Sequence, residues 1–292
     1  MLWAHRLELR VRTDLETKHE KPELVIQAGH FERHYWRDIW NYRELLYFLA
    51  WRDVVVRYKQ TVVGASWAII RPFLTMIVFT VVFGRLANLP SGGVPYPILV
   101  FAALLPWQFF ASALTDSGNS LIANTHLVSK IYFPRMIIPI SAIAVSLVDF
   151  GASCAILVAL MAYYGYLPPI QVVFLPIFLL LAYVITAGLG TFLAALNVRY
   201  RDFRLIIPFI VQLGLYVSPV GFSSTVIPEK WRLIYAINPM VGVIDGFRWC
   251  LLGGEHAFNP GSFIISIAVG SALLWVGVRY FRATEKSFAD VI

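Results

Sequence analysis

RDVVVRYKQTVVGASWAIIRP, residues Arg52 to Pro72, passes from a basic, amphipathic lead-in through Gly64 into a long apolar run, Ala65 to Ala87. A soluble domain has no use for that run, because about 20 consecutive apolar residues match the hydrocarbon thickness of a bilayer. Lys and Arg prefer the cytoplasmic face, so the cations ahead of the run decide the side on which the chain starts. This one segment reads as a membrane protein with its amino terminus inside.

The rest of the composition agrees. Hydrophobic residues make up 59% of the 292 and charged residues 14%, against roughly 45–50% and 25% in globular domains. The formal net charge of +7 would suit a nucleic-acid partner, but its distribution does not. Eleven of the 24 Lys and Arg precede Gly64, and most of the others sit at span ends, where anchoring explains them. Residues 1–30 are polar and lack the apolar core of a secretory signal peptide. Cys154 and Cys250 are too few for a disulfide framework and read as free thiols.

Three regions are expected: a flexible cytoplasmic arm over 1–30, an interfacial helix with its basic lead-in over 31–64, and a membrane domain over 65–292. In the second, Tyr35, Ile39, Tyr42, Leu46 and Leu49 recur at spacings of three and four. That pattern predicts an amphipathic helix lying at headgroup depth. In the third, window hydropathy predicts six spans, roughly Ala65–Ala87, Tyr96–Thr115, Met136–Tyr164, Val172–Leu196, Leu205–Phe222 and Phe263–Phe281. With both termini inside, twenty Lys and Arg fall on the cytoplasmic side and four outside. Between the last two spans, Trp231–Ile237 and Met240–Leu252 are apolar but too short to cross, which predicts short re-entrant helices. They would either gate a passage or merely cap it. The fold class is thus all-α and polytopic.

Several chemistries are missing from the sequence. It contains no Gly-Lys pair, and so no phosphate-binding G-x-x-x-x-G-K-[ST] loop. The six histidines are scattered without metal-ligand spacing. No catalytic residues are assigned. Asp149, in the third span, has no acid or histidine at its depth for a proton relay, and reads as a protonated or hydrogen-bonded packing residue beside Gly151, Ala152 and Ser153.

Other chemistry is present. Gln108, Ser112, Thr115 and Asn119 share one face of the second span at spacings of four, three and four, and Gln212 and Tyr216 do so in the fifth. Phe79, Phe83, Trp107, Phe109 and Phe110 accompany them. Amides, hydroxyls and aromatic faces suit a hydroxyl-rich conduit, although aromatic residues also form ordinary interfacial belts. The loop NTHLVSKIYFPRM (Asn124–Met136) mixes apolar and basic residues and could dock on a cytosolic partner or be a plain turn.

RDVVVRYKQTVVGASWAIIRPFLTMIVFTVVFG, NTHLVSKIYFPRMIIPIS, NVRYRDF (Asn197–Phe203) and SPVGF…IPEKW…NPM (Ser218–Met240) together resemble the ABC-2 type permeases that export polysaccharides. The resemblance runs from about residue 31 and is closest to the subunits that export O-antigen, with capsule and teichoic-acid exporters as near relatives. It implies a homodimer joined to two cytosolic ATPase subunits that hold the ATP and Mg. It also implies a polyprenyl-pyrophosphate-linked polysaccharide as substrate and a bacterial inner-membrane location, with no cofactor in this chain and no nucleic acid. Carried over by position, Asn124, Leu127, Lys130, Phe133, Pro134 and Arg135 would form the coupling helix that meets the ATPase. Arg52, Arg57 and Lys59 would engage the lipid pyrophosphate, and Phe79, Phe83, Trp107, Gln108, Phe110, Ser112, Thr115, Gln212 and Tyr216 would line the channel. Two other readings are an ABC-2 exporter of drugs or lipids, and a glycan-processing membrane enzyme that works without a partner.

Overall fold

The structure is a computed structural model that describes residues 35–59, 62–200, 202–253 and 259–288. The arm expected over 1–30 lies outside the described residues. The chain forms two compact units, 1–40 and 41–292. The boundary falls just before the last residue of α1 (Tyr35–Asn41), a helix that begins with a buried Tyr35 whose ring stands edge-on to Trp36 at 6.0 Å.

The second unit opens with α2 (Arg43–Lys59), followed by α3 (Val62–Phe79), which winds into a π-helical stretch at Thr80–Leu86. The helix expected over Tyr35–Leu49 is therefore broken, by a turn at Tyr42. Then come α4 (Tyr96–Ala123), the short α5 (Thr125–Lys130), α6 (Ile137–Tyr163), α7 (Leu175–Arg199) and α8 (Phe203–Val217). Two short helices follow, α9 (Glu229–Tyr235) and α10 (Pro239–Leu252), before the last long helix α11 (Pro260–Thr284) and a 3-10 turn at Glu285–Ser287. Among the described residues, five helical stretches are long and apolar enough to cross a membrane. The remaining expected span, the fifth, is shorter than its hydropathy suggested. Helix α8 stops at Val217 rather than continuing to Phe222, because Ser218 precedes Pro219 and the residue before a proline avoids the helical region. At 1.5 Å per residue its 15 residues reach roughly 22 Å, less than the ~30 Å of hydrocarbon.

Helix α4 is the hub. Of its apolar window 78% is buried, against 17% for the first span and 22% for the last. Ile98 to Leu105 are all enclosed. A helix apolar all round belongs inside a bundle, and α6, α7, α8 and α10 pack around this one. Helices α7 and α11 meet backbone to backbone: a Cβ on Gly188 would strike the main chain of Leu274, and one on Gly277 would strike the carbonyl of Gly188. In lipid, such close approach replaces the missing hydrophobic drive for association.

The two segments predicted to dip back between the last spans are α9 and α10. Helix α10 packs on α4, α7 and α11 and buries eleven of its 14 residues. Its start is set by Asn238, whose side chain accepts from the Met240 amide ahead of Pro239 at the first helical position.

Candidate functional site

A cavity of about 350 Å³ opens where α2, α3, α4, α6 and α8 converge. Arg57, Arg71, Gln108, Ser112, Thr115, Asp116 and Asp149 are among its walls. The polar stripe of α4 supplies three of these. Ser112 donates to the Gln108 carbonyl and Thr115 to that of Ala111, so both hydroxyls satisfy themselves within the helix and present lone pairs outward. Asn119, the fourth stripe residue, is turned to another task. Its Oδ1 accepts from Asn197, which is fully buried and also donates to the Gly118 carbonyl, pinning the NVRYRDF segment to α4.

At the cavity floor the guanidinium of Arg57 bridges two helices. Its Nη2 donates to Asp116 of α4 and its Nη1 to Asp149 of α6, each at 2.6 Å. Tyr58 Oη donates to the other oxygen of Asp149. Burial opposes the Arg57 charge, but Asp116 and Asp149 more than offset it and its pKa is raised. The Tyr58 hydroxyl is pushed up to about 12 by burial first and by its bond to Asp149 second. The reading of Asp149 as lacking an ionisable partner is thereby corrected. The second span was cut at Thr115, whereas α4 continues to Ala123 and carries Asp116 on the cavity side.

This pairing also changes the standing of the three cations assigned to a lipid phosphate. Arg57 is held by two carboxylates, and Arg52 by Asp53 and by Asn124, which accepts from its Nη2 at 2.8 Å. Lys59 is exposed and has no ion pair among the described residues. The coupling residues divide in the same manner. Phe133 and Pro134 are buried, and Arg135 donates its main-chain N–H to the Glu285 carboxylate and its Nη1 to the Glu285 carbonyl. Leu127 is half-buried. The surface left open on and just after α5 belongs to His126, Ser129, Lys130, Ile131 and Tyr132.

The remaining channel candidates are brought together only in part. Phe79 stacks edge-on to Phe83 at 5.4 Å and lies 6.4 Å from Tyr216, so span one and α8 share an aromatic seam. Trp107 and Phe110 are buried against each other at 5.3 Å and serve packing inside this chain. Gln212 and Tyr216 face outward from α8.

Beyond α8 the chain crosses Ser218–Phe222 without helix. Carbonyls left outside a helix need donors when enclosed, and here side chains supply them. Arg248 of α10, wholly enclosed, donates to the carbonyls of Val220 at 3.0 Å and Phe222 at 2.7 Å, and Tyr96 Oη donates to that of Gly221 at 2.7 Å. Asn238 binds Ser218 Oγ at 2.9 Å.

Residues 44–252, the hub, the bridged cavity and the buried helix α10 included, match the family described as ABC-2 type transporter. The chain belongs to that family. This permease is 29% identical over 261 residues to the O-antigen export system permease protein RfbA of Myxococcus xanthus, covering 88% of this chain and 98% of that one. It is 29% identical to the protein of the same name from Klebsiella pneumoniae, over 85% and 95% of the two chains. The polysialic acid transport protein KpsM of Escherichia coli is 20% identical, over 81% of the permease and 92% of its own length. The permease is a multi-pass membrane protein whose relatives are transport subunits.

Proposed function

We propose that the permease is the membrane subunit of an ATP-driven exporter that moves a lipid-linked polysaccharide, O-antigen, across the bacterial inner membrane. The observation that carries this reading is the near end-to-end similarity to two O-antigen export permeases. The chain has a partner-facing rather than a nucleotide-binding surface at α5, and ATP with its Mg belongs to a separate cytosolic ATPase, two copies of which serve a homodimer of this chain. Both termini are cytoplasmic, as the distribution of Lys and Arg favours.

A second copy is supported by α8. Gln212 presents an amide on the outer face of a helix too short to span alone, and a polar group there is costly against lipid. Facing a second copy across a wet conduit, Gln212 and Tyr216 would line it with Phe79, Phe83, Gln108, Ser112 and Thr115. Lys59 is the cation offered to the substrate's pyrophosphate, since a cation on exposed chain recognises phosphate well. Arg52 and Arg57 hold the helix that presents it.

Reconstitution of the permease with its ATPase in vesicles decides the matter. ATP-dependent movement of a tagged polyprenyl-linked glycan is the expected result. Efflux of small molecules with no glycan transfer would replace the substrate class, and an ATPase that never copurifies would remove the transporter reading.

A further inference from the structure

Helix α2 packs along α6 and is tied to the bundle by polar contacts as well. Its only buried residue is Leu49, and Tyr47, Phe48 and Trp51 stand exposed. The specific ties are Arg52 on Asn124 at the threshold of α5, and Arg57 on Asp116 and Asp149. Directional bonds of this kind define a few discrete seats rather than a continuum of positions.

A second cation borders the same cavity. Arg71 of α3 is exposed and makes no ion pair among the described residues, yet it lines the space that Arg57, Asp116 and Asp149 also line. The carboxylates are thus engaged by Arg57, while a second arginine, from another helix, borders the same cavity.

We propose that Arg57 and Arg71 exchange on the Asp116–Asp149 pair during the transport cycle, letting α2 move against the spans while the carboxylates stay neutralised. The inference rests on the transporter reading above. A push on α5 reaches α2 through Asn124 and Arg52, and α2 carries Arg57 away from its acids. Two carboxylates stripped of their partner at this depth would oppose that movement. Arg71, across an open cavity, removes the opposition by taking the vacated place. Both arginines are positioning residues: neither needs to touch the substrate. The element with two states is the α2 helix, and the seats differ in which cation the acids hold.

Spin labels at Tyr47→Cys and Tyr163→Cys, both exposed positions, report the distance between α2 and the far end of α6. The measurement uses the permease–ATPase complex in nanodiscs without glycan, in a Cys154→Ser, Cys250→Ser background. The parent should change this distance on addition of ATP. Arg71→Gln should leave the nucleotide-free distance unaltered, abolish the ATP-driven change, and lower export per ATP hydrolysed about tenfold; Arg71→Lys should restore both. A parent distance that ignores ATP, or an Arg71→Gln distance change like the parent's, would overturn the exchange. So would failure of Arg71→Gln to assemble, because Arg71 holds nothing in the resting seat. Absence of glycan transport by the parent would sink the transport reading alone, since the distance is read without substrate.

Discussion

Arg57 and Asp149 lie 92 residues apart in sequence and 2.6 Å apart in space. Removing one partner of a fully buried ion pair costs about 3–5 kcal/mol, but these side chains keep 34% and 21% of their exposure and Asp116 keeps 31%. We therefore expect Arg57→Ala to cost about 2 kcal/mol and Asp149→Asn about 1 kcal/mol, with a double mutant costing less than their sum. Thermal unfolding in detergent measures all three. Strict additivity would mean that the pair does not hold α2.

Close packing of α7 on α11 should be intolerant of added volume. Gly277→Val forces the helices apart and should lose roughly 1–3 kcal/mol, with Gly188→Val similar. Gly151→Ala is the control, because nothing lies within 4 Å of the position its Cβ would take. Equal melting temperatures for Gly277→Val and Gly151→Ala would contradict the backbone contact.

The loop after α4 separates partner contact from core. Phe133 is 3% exposed, so Phe133→Ala should destabilise the permease by about 3–5 kcal/mol. Lys130 is exposed, and Lys130→Ala should leave stability unchanged while weakening copurification with the ATPase. The reverse pattern would place the docking surface elsewhere.

Arg248 is expected to fasten the turn that follows α8. Arg248→Lys keeps the charge but loses the fork that reaches Val220 and Phe222, at a cost of about 3 kcal/mol. Thiol labelling of Ser223→Cys, a buried position, should then speed up. Unchanged labelling would show that the turn holds without the arginine.

The spans were legible because apolar runs of bilayer length have few other uses, and the short helices α9 and α10 were legible from the Asn238-Pro239 break between two runs too short to cross. Two boundary signals were there to be read. Asp116 follows Ser112 by four residues, so the polar stripe itself carried helix α4 past Thr115. Ser218-Pro219 announced the end of α8. The site was less legible. Arg57 looked like a phosphate ligand because a cation near a span start is equally suited to lipid phosphate and to an acid, and the acids stand 59 and 92 residues away. Arg135 posed the same difficulty, its partner Glu285 being 150 residues distant. Sequence periodicity assigns a residue to a face of its own helix. Which foreign side chain meets that face depends on how helices dock.

The turn held by Arg248 and Tyr96 has a consequence in time rather than in space. A crossing completed by helix must unwind to open, breaking its ladder residue by residue. Here the stretch that follows α8, Ser218–Phe222, is closed by bonds from side chains of two other elements. A shift of α10 or of the start of α4 would therefore reach it directly, within the microsecond-to-millisecond range of collective helix motion. The turn after α8 would thus be timed by its neighbours and impose no slow step of its own.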